Sequence, residues 1–145
     1  MNDPTHTSTN PWGLLLAVWL LAMASTFSAL FIGEVMGKNP CVLCWFQRIF
    51  MFPLAVMLTI ACYRSDFAVW KYALPLAVIG WGIALYHCLL FVGFIPESIK
   101  PCGVGAPCSG ADMMILGGVP LPLISLVAFT LIVLLLVLIH RRTLV

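Results

Sequence analysis

Six cysteines are spread unevenly along 145 residues. Two stand in Pro40-Cys41-Val42-Leu43-Cys44, and two more, Cys102 and Cys108, bound the segment Gly103-Val104-Gly105-Ala106-Pro107. A Cys-x-x-Cys pair is either a redox dithiol or half of a metal site. Pro40 precedes the pair and an apolar run follows it, so the thiols fall near a helix N-terminus. The free amides and dipole there favour a thiolate. Arg48 comes four residues after Cys44, on the same helical face one turn away, where its guanidinium stabilises a thiolate on Cys44. The alternative is an inert disulfide clamping the turn, with Arg48 snorkelling to an interface. Closing the short ring between Cys102 and Cys108 constrains the unfolded chain little. Thiol exchange is therefore the better reading of that pair, and a structural clamp is the other.

The elements that must position these residues follow from composition. The chain is 63% hydrophobic and only 8% charged, with seven Lys or Arg against five Asp or Glu, where a soluble protein is roughly 45–50% apolar. So few charges cannot cover a soluble core, and the hydrophobic excess excludes disorder. A net charge of +2 without a basic stripe excludes nucleic acid as a partner. Four apolar runs, Trp12–Ile32, Trp45–Tyr63, Tyr72–Ile95 and Val119–Ile139, are each near the length of about 20 residues that a helix needs to cross a bilayer. The expected fold is an all-α membrane protein, a four-transmembrane-helix bundle in contact with lipid. It forms a single domain over residues 1–145, with spans at 12–32, 45–63, 72–95 and 119–139 and outer loops at 33–44 and 96–118.

Arg64 and Lys71 flank the turn between the second and third runs, and Arg141 and Arg142 follow the fourth. The positive-inside rule then puts both termini in the cytoplasm and the two cysteine pairs on the opposite face, where disulfides persist. A cleaved signal peptide is the rival reading of the first run. Met1–Pro11 lacks Lys and Arg, and the run exceeds the usual length of such a segment, so a retained span is expected.

Arg48 enters an apolar run from the side that the positive-inside rule disfavours, and at mid-membrane an arginine costs about 2.5–3.5 kcal/mol. With Gln47 beside it, and Trp45 and Phe46 as candidate flat walls, the dithiol sits next to a place for a polar headgroup. A quinone has that form: two carbonyl acceptors on a ring with a lipid tail. His87, placed about 12 Å below the outer end of the third run, either lines the same cavity or makes an interhelical hydrogen bond. Cys62 and Cys88 read as small packing residues, and Gly33, Gly37, Gly117 and Gly118 as turns or close helix contacts.

The segment Pro40-Cys41-Val42-Leu43-Cys44-Trp45-Phe46-Gln47-Arg48, with the long apolar run behind it, resembles the DsbB family of disulfide bond formation proteins. The close pair Cys102/Cys108, followed by Gly117-Gly118-Val119-Pro120-Leu121-Pro122-Leu123-Ile124-Ser125-Leu126, is more similar to the short-loop BdbC-type branch. The resemblance runs from the first span to the fourth. It implies a thiol:quinone oxidoreductase in the bacterial cytoplasmic (inner) membrane that reoxidises a soluble thioredoxin-fold thiol oxidase of the DsbA or BdbD kind and passes electrons to ubiquinone or menaquinone. On that resemblance Cys102, or else Cys108, forms the mixed disulfide with the partner, and Cys41 and Cys44 oxidise the loop pair by internal exchange. Cys44 is then the thiolate facing the quinone, which Arg48 hydrogen-bonds or polarises. The second pair departs from the wide spacing of the longer-loop members, which bears on the order of exchange. A vitamin K epoxide reductase-like protein would need the Cys-x-x-Cys late in the chain, and here it comes first. Two further alternatives are a four-cysteine site for zinc or copper and a structural four-span scaffold with outer disulfides, which leaves Arg48 unexplained.

Overall fold

The computed structural model describes residues 11–37, 40–95, 114–115 and 118–143. Each apolar run becomes a helix, because in a bilayer an exposed backbone must satisfy its own amides and carbonyls. Helix α1 (Pro11–Leu30) starts on a proline, which needs no amide partner in the first turn, and continues into a π-helical turn at Phe31–Val35. Helix α2 covers Val42–Arg64 and α3 covers Trp70–Val92, with a 3₁₀ turn at Phe67–Val69 leading into α3. A two-residue antiparallel pairing, β1 (Met114–Ile115) with β2 (Val119–Pro120), leads into α4 (Leu121–Thr143). Four helical stretches, Pro11–Val35, Val42–Arg64, Phe67–Val92 and Leu121–Thr143, are long and apolar enough to cross a membrane.

The ends of the helices differ from the apolar runs for local reasons. The third run continues to Ile95, but α3 stops at Val92: Gly93 turns left-handed at φ +85°, and its amide and that of Phe94 close onto the carbonyls of Leu90 and Leu89. Helix α2 begins at Val42, because Cys41 caps it. Helix α4 begins at Leu121, because Val119 and Pro120 are taken up in the strand pairing. It runs on to Thr143 and so carries Arg141 and Arg142 in its last turn, where cations suit the dipole.

Neighbouring helices are antiparallel. Between α1 and α2 the pairs Leu15/Cys62, Trp19/Thr59 and Ala29/Arg48 ascend one helix as they descend the other. Between α3 and α4 the pairs Trp70/His140 and Trp81/Thr130 do the same. The core is made by Leu15, Val18 and Ala22 of α1, Leu54 and Leu58 of α2, Ala73, Ala77 and Ala84 of α3, and Phe129, Ile132, Leu136 and Ile139 of α4. Small residues on α3 allow the close approach on which helix association in lipid depends.

Two polar clamps repeat one design. Trp19 Nε1 donates to Thr59 Oγ1 at 2.8 Å, and that hydroxyl donates to the Ala55 carbonyl at 2.8 Å. Trp81 Nε1 donates to Thr130 Oγ1 at 2.9 Å, and that hydroxyl donates to the Leu126 carbonyl at 2.7 Å. Each joins a helix pair while leaving no indole or hydroxyl hydrogen unpartnered in an apolar setting.

Gly80 packs against the edge of the Phe129 ring, and a β-carbon at position 80 would overlap that edge. Gly80→Ala is expected to destabilise the bundle by about 1–3 kcal/mol through overpacking. Thermal unfolding in detergent checks this. In a Phe129→Leu background, where the ring edge is gone, the same alanine should cost clearly less.

Candidate active site

One face of α2 carries the polar residues. Cys44, Gln47, Arg48 and Met51 recur at helical spacing and all line a cavity of about 660 Å³ bounded by α1, α2 and α4. His87 of α3 closes one side of it. The other walls are mostly apolar, among them Leu21, Ala24, Phe52, Phe129 and Leu131. Ile124, Val127 and Leu131 line the cavity and are also exposed on the outside of α4, so its mouth opens on the side of the bundle.

Cys41 is the N-cap of α2. Its backbone is extended (φ −67°, ψ 166°), and its Sγ accepts from the Cys44 amide at 3.4 Å. The sulfurs of Cys41 and Cys44 are in hydrogen-bond contact at 3.1 Å. Behind them, His87 Nε2 lies 3.8 Å from Cys41 Sγ, and His87 Nδ1 lies 3.2 Å from the Gln47 side-chain amide. His87 is fully buried and Cys41 is 1% exposed, whereas Cys44 is partly exposed on the cavity side. The chain Gln47–His87–Cys41–Cys44 therefore runs from the α2/α3 seam to the cavity.

Within this pair the surroundings of Cys41 favour its thiolate form. The Cys44 thiol bonded to it is the main cause of its lowered pKa, helped by His87 and the Cys44 amide and opposed by burial. Arg48, expected to favour a thiolate on Cys44, lines the same cavity as Cys44; its Nη2 donates to the Ala29 carbonyl at 2.6 Å, and its Cζ lies 5.4 Å from the centre of the Trp45 ring. The π turn of α1 begins two residues after Ala29, and there the Met36 amide reaches back five residues to the Phe31 carbonyl. Such turns are frequent at functional sites. Gly33, within the turn, has no side chain where the guanidinium lies: a β-carbon there would be 2.9 Å from Arg48 Nη2.

Two other placements are corrected. Trp45 and Phe46 do not wall the cavity. Trp45 is exposed beside Arg48, and Phe46 occupies the opposite phase of α2, lining a shallow apolar groove against α3. His87 is less deep than the length of the run suggests, five residues from the end of α3 at Val92, or about 7–8 Å at 1.5 Å per residue. The two alternatives for His87 turn out to be compatible, since it both borders the cavity and bonds across helices.

Cys102 and Cys108 lie outside the described residues, and with them half of the four-cysteine metal set. Cys41, Cys44 and His87 nonetheless bring three donor atoms within 4.8 Å of one another. Cys62 is near the far end of the bundle, its thiol 3.5 Å from the Leu15 carbonyl, and Cys88 is partly buried. The sequence reading missed the Ala29 carbonyl and the π turn as parts of the site. Gly33 was their one visible trace.

Four helices long and apolar enough to cross a membrane, with a close thiol pair at one end, have the make-up of a membrane protein suited to dithiol–disulfide chemistry. The chain belongs to the DsbB family: the family model described as "Disulfide bond formation protein DsbB" matches residues 10–139. It is 63% identical over 133 residues to a probable disulfide formation protein of Metapseudomonas resinovorans, covering 91% of this chain and 92% of that one. Disulfide bond formation protein C of Bacillus subtilis is 41% identical over 121 residues, 82% of this chain and 86% of the relative. A probable disulfide formation protein of Deinococcus radiodurans is 43% identical over 131 residues, 84% and 85% of the two chains. No solved structure matches the chain significantly.

The seat of Arg48 is open to a direct test. Gly33→Ala should push the guanidinium off the Ala29 carbonyl and lower stability by about 1–3 kcal/mol, the usual range for a hydrogen bond to a charged group or an unsatisfied partner. Gly82→Ala, where a methyl meets nothing within 4 Å, should not. In an Arg48→Ala background the Gly33 substitution should lose most of its effect, as a double-mutant cycle by thermal unfolding would reveal.

Proposed function

We propose that this chain is a membrane thiol:quinone oxidoreductase that reoxidises a soluble, extracytoplasmic thioredoxin-fold thiol oxidase and passes the electrons to ubiquinone or menaquinone. The observation that carries the proposal is the cavity, apolar along most of its wall, with Cys44, Gln47, Arg48 and His87 gathered at one end. A ring with two carbonyl acceptors and an apolar tail fits this donor set: the guanidinium and the Gln47 amide supply N–H groups, and the lateral mouth suits a tail lying in lipid. A quinone bound there supplies an acceptor for two electrons and two protons.

The residues divide the work. Exchange with the loop pair, Cys102 and Cys108, leaves Cys41 and Cys44 as a dithiol. Cys44 faces the cavity and gives up its electrons there. Cys41, its sulfur 3.1 Å away, is poised to attack the Cys44 sulfur and close the disulfide. Over the cycle two thiols become one disulfide and release two electrons and two protons. His87 borders both Cys41 and the cavity, so it lies on the route for one of those protons, and Gln47 fixes its ring.

Family membership supports the disulfide-forming role. Arg64, Lys71, Arg141 and Arg142 gather at the end of the bundle away from Cys41. By the positive-inside rule that end is cytoplasmic, together with both termini. The thiols and the outer connections at 33–44 and 96–118 then face the periplasm or the exterior of a bacterial cytoplasmic (inner) membrane, and the chain acts as a single membrane domain.

The reduced protein in lipid, given a soluble quinone, should re-form the Cys41–Cys44 disulfide, as thiol trapping would report. Arg48→Ala should slow this about tenfold to a hundredfold, the loss of one charge-assisted hydrogen bond, while disulfide exchange with a thiol oxidase is spared. Absence of quinone-dependent reoxidation in the wild-type protein defeats the proposal.

A further inference from the structure

Cys41, Cys44 and His87 form a three-donor cluster of which redox exchange consumes only the sulfurs. Its dimensions are near those of a zinc centre. Tetrahedral zinc, with bonds of about 2.3 Å to sulfur and about 2.0 Å to nitrogen, sets two sulfurs about 3.8 Å apart and a sulfur and a nitrogen about 3.5 Å apart. Cys41 Sγ and His87 Nε2 are 3.8 Å apart, and the sulfurs are 3.1 Å apart. The imidazole is thus almost in place, and the sulfurs must open by about 0.7 Å to reach the zinc spacing. Cys44, on the cavity side, has room for that movement.

The surroundings also suit a metal. Imidazoles that bind metals usually donate their second N–H to an oxygen acceptor. Gln47 holds its amide 3.2 Å from His87 Nδ1; with the amide oxygen turned to that nitrogen, Nδ1–H is the donor and the Nε2 lone pair faces the sulfurs. Two thiolates, a neutral imidazole and Zn²⁺ sum to zero charge, so the ion adds no net charge to a buried site. A disulfide offers no thiolate, and the site therefore exists in only one redox state.

We propose that the reduced Cys41–Cys44 pair and His87 bind a single zinc ion, with a fourth position open to the cavity. Binding releases the remaining thiol protons and holds both sulfurs as metal thiolates, which withdraws the dithiol from exchange until the ion is removed. The site is an inhibitory one, and it stands whether or not a quinone is the electron acceptor, because a chemical reductant suffices to create it.

The full-length protein in detergent, reduced with a phosphine, should bind one Co²⁺ with thiolate-to-cobalt charge-transfer absorption and release it to one equivalent of Zn²⁺. The disulfide form should bind none. His87→Ala should weaken binding at least tenfold, and Gln47→Leu about tenfold to a hundredfold, the range for losing a partner of a ligating histidine. Cys102→Ser/Cys108→Ser should bind as the wild type does. Because the His87 variant risks misfolding, X-ray absorption of the zinc-loaded wild type provides a second measure: two sulfurs and an imidazole nitrogen are expected. A four-sulfur shell, failure of the reduced wild type to bind, or loss of binding without the loop pair each overturns the proposal.

Discussion

A guanidinium buried in an apolar bundle must be fully partnered, and much of the outer half of this structure answers to that need. Arg48 is 9% exposed. Taking a hydrogen-bond partner away from such a buried charge costs about 1–3 kcal/mol, as much as or more than most single contacts in the bundle return. Among the described residues its hydrogen-bond partner is the backbone carbonyl of Ala29 rather than a carboxylate, which keeps the guanidinium's positive charge available to the cavity. The π turn and Gly33 follow from the same need, since the first re-aims α1 beside the guanidinium and the second clears the space it fills. The Trp45 ring covers another side, an attraction worth about 0.5–2 kcal/mol.

The fold was legible in the sequence because it rests on quantities that add up along the chain. Four apolar stretches of bilayer length, the second with a single arginine near its start, admit few solutions, and the Cys-x-x-Cys before that one marks a helix start. That Cys44 and Arg48 share a face was equally plain, since the spacing of four is local. What could not be read depends on the register between helices. Whether Arg48 meets a carbonyl or a thiolate is decided by how far α1 is slid along α2. Whether Trp45 faces the cavity depends on the rotation of α2 about its axis, which a helix apolar on nearly all sides does not reveal. The end of α3 at Val92 was hidden for another reason. Hydrophobicity continues through Phe94 and Ile95, and the stop is set by the left-handed Gly93, a backbone event with no signature in apolar content.

Stability and chemistry occupy opposite ends of the bundle. Away from the thiols, Leu15, Leu58, Ala73 and Ile139 pack without exposure, and Trp70 lies with its ring centre 3.8 Å from that of His140. The indole–threonine clamps tie α1 to α2 and α3 to α4 nearer mid-bundle. Helices fixed in this way can diverge above the clamps without losing their register. The cavity occupies that upper part, where α1 and α4 face each other chiefly through small or flexible side chains such as Ala24, Ser28, Ser125 and Ala128. A well-packed lower half thus allows an open upper half.

The order Cys44-x-x-Gln47-Arg48 explains how one helix serves two neighbours at once. Successive residues on a helix point about 100° apart, so Gln47 and Arg48 diverge: the first turns to His87 on α3 and the second to Ala29 on α1. Cys44 is three residues before one and four before the other, so its sulfur sits above the space between them. The cavity-facing sulfur is then flanked by an amide-held imidazole on one side and a carbonyl-held guanidinium on the other. Lysine at position 48 would keep the charge but lose the planar fork that reaches the carbonyl and covers the Trp45 ring together. Moving Gln47 back to position 46, or Arg48 on to position 49, would put it on an exposed face of α2. The spacing of the motif is therefore a statement about three helices, made by a single turn of one.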